Sequence, residues 1–129
     1  MAAPNWIDAV LDGGPNFFTG GSVTRVDVCN TEPTTYGTIV SNSLAGYVID
    51  GADFTKAAGD TNPGRKVTMG AQTGATASAA GNGNFLAFSN GTDTYYGVIA
   101  ADGDAIGNGQ QVDLAAVDVY EVQAPTTEA

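Results

Sequence analysis

Asn84-Phe85-Leu86-Ala87-Phe88-Ser89-Asn90-Gly91-Thr92-Asp93-Thr94-Tyr95-Tyr96-Gly97-Val98-Ile99-Ala100 reads as two strands and the turn that joins them. Asn-Gly is the strongest short-range hairpin signal, because both residues tolerate the positive φ that matches a turn to the twist of its strands. Apolar and aromatic residues flank it on both sides, so 84–89 is expected to run out and 94–100 to run back.

The same pattern recurs along the chain. Val23 to Cys29 alternates as a half-buried strand does. Asn30 to Thr35 is expected to be a loop, since Pro33 pushes its neighbour out of helical geometry. Residues 36–45 are ambiguous, with Thr38, Ile39 and Val40 favouring a strand. Tyr47-Val48-Ile49 precedes the turn pair Asp50-Gly51. Residues 56–64 read as a polar loop, and 65–72 as a strand around Val67, Met69 and Ala71. Residues 75–79 alternate with small side chains. Gly81-Asn82-Gly83, Asp102-Gly103-Asp104 and Gly107-Asn108-Gly109 read as turns. Residues 111–122 form the longest alternating stretch, with Val112, Leu114, Val117, Val119 and Val122 marked for burial. About eight short strands, with turns every eight to twelve residues, predict an all-β antiparallel sandwich or barrel.

One short helix is expected before it. Asn5 can cap it, Asp8 suits its dipole, and Trp6, Ile7, Val10 and Leu11 share a face. Gly13-Gly14-Pro15 should end it. The chain thus divides into an N-terminal helix or arm over 1–22, a β domain over 23–123 and a loose tail over 124–129.

Totals narrow the function. The chain has 129 residues and a net charge of −10, from 14 acids and four bases: Arg25, Lys56, Arg65 and Lys66. Four bases cannot neutralise a run of phosphates, so no direct nucleic-acid partner is expected, and an anionic membrane would repel the chain. There is no histidine, which removes the usual general base and nearly every zinc site. The single cysteine, Cys29, can form no intrachain disulfide and reads as a small buried hydrophobe. Neither a signal peptide nor a membrane span is read at the start, so synthesis in a reducing cytoplasm is expected.

Asp50 with Asp53, and Asp102 with Asp104, sit beside glycines, where Asp shapes turns. Asp102-Gly103-Asp104 can also offer oxygens to Ca²⁺, but it lacks the spacing of a calcium loop. No catalytic residue, metal or cofactor is therefore assigned, and the chain is not expected to be an enzyme. Trp6, Phe17 and Phe18 either cover one end of the core or dock on a partner, and Arg65-Lys66 either ends a strand in solvent or meets an acidic partner. These five are the candidate interface residues. Tyr95, Tyr96 and Tyr120 are the only candidates for a sugar platform, and alternation puts Tyr95 and Tyr96 on opposite faces.

Several blocks together resemble a known group. They are 28–36 (Val-Cys-Asn-Thr-Glu-Pro-Thr-Thr-Tyr), Ala52-Asp53-Phe54-Thr55, Gly59-Asp60-Thr61, Gly64-Arg65-Lys66-Val67-Thr68 and 83–88 (Gly-Asn-Phe-Leu-Ala-Phe). In this order, from about Val23 to Val122, they resemble small structural proteins of tailed bacteriophages similar to capsid cement (decoration) proteins. The departures are Asn84-Phe85-Leu86 and a longer start. The resemblance implies a protein of the virion's capsid surface, made in the host bacterial cytoplasm. It would bind the major capsid protein as a symmetric homo-oligomer and bridge subunits. A tail or fibre component is the nearest alternative, and a carbohydrate-binding module the alternative from another class.

Overall fold

The computed structural model describes residues 5–7, 10, 14–58 and 64–123. Asp8 and Leu11 of the expected helix, the Gly59-Asp60-Thr61 block and the 124–129 tail lie outside them. The fold is all-β and sandwich-like, with antiparallel sheets and no closed barrel.

The largest sheet is built on the expected hairpin. β7 (Gly81–Ser89) and β8 (Tyr95–Ile106) pair across the Asn90 turn. The Asn90 Oδ1 accepts from the backbone N–H groups of Thr92, Asp93 and Thr94 at 2.9–3.0 Å, which closes the turn from inside. On one side β7 pairs with β2 (Arg25–Cys29), which pairs with β3 (Ser43–Val48). On the other side β1 (Asn5–Trp6) pairs with β8 at Val98 and Gly97. β5 (Gly64–Met69) is the centre of a second sheet, between β4 (Phe54–Ala58) and β10 (Val117–Gln123). β6 (Gln72–Thr76) and β9 (Gln111–Leu114) form a third.

The inner face of the large sheet carries Val26, Val28, Leu86, Phe88 and Ile99. They share one core with Phe54, Val67, Met69 and Val119 of the second sheet and Val112 of the third. The outer face carries Cys29 and Ala87, covered by Ile39 of helix α2 (Tyr36–Asn42). Hence β2 is buried from Val26 to Cys29, not half-buried as alternation alone suggested.

Several expected elements are corrected. Residues 36–42 are helical despite Thr38, Ile39 and Val40. The Thr35 hydroxyl accepts from the Thr38 N–H at 3.1 Å, and the Thr38 hydroxyl accepts from the Thr35 N–H at 2.9 Å. This reciprocal cap satisfies donors that a β-branched run would otherwise leave open at a helix start. Val10 is helical and accepts from the Gly14 N–H at 2.8 Å, and a helix not expected from the sequence starts directly after: α1 spans Pro15–Thr19, with proline at its start where a missing N–H costs nothing. Asn5 and Trp6 pair as a strand. Phe54–Ala58, including Lys56 from the expected polar loop, is β4. Gly81-Asn82-Gly83 lies within β7, and Asp102-Gly103-Asp104 within β8. There a register shift opposite Gly83 and Phe85 bulges the strand, and Gly103 takes φ 78°. The 111–122 stretch breaks at Ala115-Ala116, where the chain passes from the third sheet to the second.

Candidate functional site

Each candidate interface residue has a definite place. Phe18, on α1, is fully buried at the centre of an aromatic cluster. Its ring meets Trp6, Phe54 and Tyr120 at centroid distances of 5.3 Å each. Trp6 is half-buried and also packs on Phe88 at 5.5 Å. Phe17 stands edge-on to Tyr96 at 4.9 Å. Phe18 therefore offers no surface to a partner, and Phe17, like Trp6, is only half-buried. The physical reason is that α1 packs Phe18 among rings from both sheets, Trp6 of the large sheet and Phe54 and Tyr120 of the second. Arg65 is exposed on β5, and Lys66 beside it reaches Asp118 on β10 at 3.2 Å. The structure does not bring the aromatic residues and the Arg65-Lys66 pair together as one exposed patch.

The residues weighed for chemistry are equally placed. Cys29 is wholly covered, and burial, helped by the Asp27 carboxylate, pushes its thiol up to about 12. Asp50 caps a single 3-10 turn (Gly51–Asp53), accepting from the Ala52 N–H, while Asp53 accepts from the Asp50 N–H, both at 2.9 Å. Tyr95 belongs to the cluster under α2, Tyr96 to the main core, and Tyr120 is buried, so the three rings form no common platform. Among the described residues no three His, Cys, Asp or Glu side chains gather in a way that could hold a metal ion. No helix among them is long and apolar enough to cross a membrane.

Two features were not singled out by sequence reasoning. Asp27 is a buried carboxylate on the outer face of β2. It accepts from the Arg25 guanidinium at 2.9 and 3.2 Å and from the Ser43 hydroxyl at 2.6 Å. Gly46 lies directly beneath this pair. The signal was the charged residue between Val26 and Val28, which alternation assigned to solvent.

The second feature is a cleft of about 320 Å³ between the end of β8 and the β9–β10 segment. Its floor includes Val28, Leu86, Ile106 and Val112, and its rim carries Asp102, Asp104 and Asp113. The Gln111 amide and the Gly74 N–H both donate to Asp113 and hold its carboxyl below the usual carboxylate range. Nothing in the sequence announces this site, because its walls come from strands far apart in the chain.

Comparison with family models, with curated proteins and with solved structures returns no match.

Proposed function

We propose that this chain is a structural protein of a bacteriophage head, a cement (decoration) protein that binds the outside of the mature shell and bridges its subunits. The observation that carries the reading is the placement of the blocks that resemble such proteins. Val28–Tyr36 forms the end of β2 and the entry to α2, 64–68 the central strand of the second sheet, and 83–88 the middle of the large sheet. These blocks are therefore the framework of the fold: Val28, Pro33, Val67, Leu86 and Phe88 are all buried. A resemblance carried by framework residues speaks for a shared body.

The surface supports the same reading. Three of the four bases have acceptors within the chain: Arg25 on Asp27, Lys66 on Asp118 and Lys56 on Asn16 at 3.0 Å. Among the described residues Asp50, Asp93, Asp102, Asp104, Asp113, Asp118 and Glu121 are exposed, and this acidic surface keeps many copies soluble and steers them to basic surface. Repetition over a symmetric shell then turns weak single contacts into a large total stabilisation.

The test is quantitative mass spectrometry of purified virions carrying this protein. A copy number equal to that of the major capsid protein, or a simple fraction of it, supports the reading. A handful of copies places the chain on the tail or a vertex, and absence from the virion overturns a structural role.

A further inference from the structure

Arg25 is held as a fixed plate on the outer face of the large sheet. Its guanidinium donates twice to the Asp27 carboxylate, at 2.9 and 3.2 Å, and the Ser43 hydroxyl holds that carboxylate from β3 at 2.6 Å. Gly46 lies beneath: a methyl group there would stand 2.8 Å from the guanidinium carbon. The Arg25 side chain is nevertheless 35% exposed, beside a groove of about 320 Å³ walled by Ile39 and Val40 of α2. Val48 is the cross-strand partner of Arg25, and such partners stand on the same face of a sheet. Val40 and Val48 are 60% and 81% exposed, and no other large hydrophobic residue among those described is exposed. A planar cation thus has both uncovered valines as neighbours.

We propose that this groove receives an aromatic side chain, tryptophan or tyrosine, from the surface of a partner protein. Its ring stacks on the Arg25 guanidinium and rests against Val40 and Val48. A guanidinium attracts the electron-rich face of a ring, and stacks on it, more strongly as water is excluded. The bonds to Asp27 occupy one edge of the guanidinium and leave its plane to the ring, while the valines give the ring an apolar surround. A carboxylate is a poor occupant. Asp27 already neutralises the cation, and a second carboxylate would meet Asp27 and the field of a chain with a net charge of −10. A neutral ring meets neither penalty. A second copy of this chain is also a poor occupant, because all its aromatic residues are described and none is exposed. The partner's identity rests on the proposed function, under which the ring belongs to a shell subunit. The groove's preference for a ring does not.

The experiment is a titration of the full chain, labelled with ¹⁵N and at the valine methyls with ¹³C, followed by NMR. The probe is the blocked peptide Gly-Ser-Trp-Ser-Gly. Controls are the same peptide with leucine or with aspartate for tryptophan. The expected result is saturable ring-current shifts of the Val40 and Val48 methyls and of the Arg25 Nε–H. Arg65, exposed on β5 away from any such groove, is the internal reference and should not move. The tryptophan peptide should bind about fivefold more tightly than the leucine peptide, as a cation under a ring contributes. Val40→Ser/Val48→Ser changes only exposed positions and should weaken binding about fivefold through lost apolar contact.

No saturable shift of these groups at millimolar peptide, shifts centred elsewhere, or equal movement of Arg65 overturns the proposal. So does equal binding of the leucine peptide, which would mean that the groove reads only apolar surface, or tighter binding of the aspartate peptide, which would mean that Arg25 takes anions. None of these outcomes depends on the virion copy number, so the proposal and the functional reading can fail separately.

Discussion

Cys29 lies between the large sheet and α2 with no exposed surface, and burial followed by the Asp27 carboxylate raises its thiol from 9.0 to about 12. Folding therefore favours the protonated thiol. Its contribution is fully present below pH 9 and is lost as pH rises from 9 towards 12. Against Cys29→Ala, the wild-type chain should lose stability faster above pH 9, by up to about 1.4 kcal/mol per pH unit. Denaturant melts of both chains across this range check it. Tyr95, Tyr96 and Tyr120 are also raised by burial, but they titrate in both chains and cancel in the comparison. Gly46 is a second residue whose role is set by its neighbours. A methyl group there would fall within 2.8 Å of the Asp27 carboxylate and against the Arg25 guanidinium. Gly46→Ala should push the pair apart and lower stability by about 2–3 kcal/mol, less than for a fully buried pair because Arg25 is partly in solvent. Chemical denaturation measures it.

Among the elements, α2 and the third sheet show two ways that local preference yields to a few hydrogen bonds. The intrinsic cost of Thr38, Ile39 and Val40 in a helix is tenths of a kilocalorie each. The reciprocal cap of Thr35 and Thr38, and the burial of Ile39 on Cys29 and Ala87, outweigh it. The cap has a sequence signature only when its third residue is Glu or Gln, so threonine in that place hid the helix. The third sheet hangs on Tyr47 of β3, whose hydroxyl donates to the Val112 carbonyl on β9 and accepts from the Ala75 N–H on β6 at 3.0 Å. Tyr47→Phe keeps the ring and removes both bonds. It should cost about 1–3 kcal/mol, since two backbone groups lose their partner. Amide exchange should quicken first at Ala75 and its neighbours, while β7 and β8 stay protected. Uniform loss of protection across all three sheets would contradict this hinge-like role for one hydroxyl.

At the scale of the whole molecule, charge is the strongest influence outside the core. A net charge of −10 on a chain with few cations means self-repulsion in the folded state. Raising sodium chloride from about 10 mM to 0.5 M shortens the screening length from about 30 Å to under 5 Å. The melting temperature should therefore rise by a few degrees, as calorimetry can show. A fall would mean that the Arg25–Asp27 and Lys66–Asp118 pairs matter more than the net repulsion.

The amino-acid sequence by itself determined the class and the central hairpin. Alternation across Val23–Cys29, and the apolar runs on either side of the Asn90-Gly91 turn, are local properties, set by the period of a strand and by a glycine that accepts positive φ. Composition likewise determined that no histidine chemistry is available. Only the tertiary structure decided that α2 closes the outer face of β2, that Phe18 and its neighbouring rings belong to the core, and that Asp102 and Asp104 lie in a bulged strand at the rim of a cleft. Each of these depends on what another part of the chain covers or leaves uncovered. A residue's own pattern says which face it could bury, but not whether anything arrives to bury it.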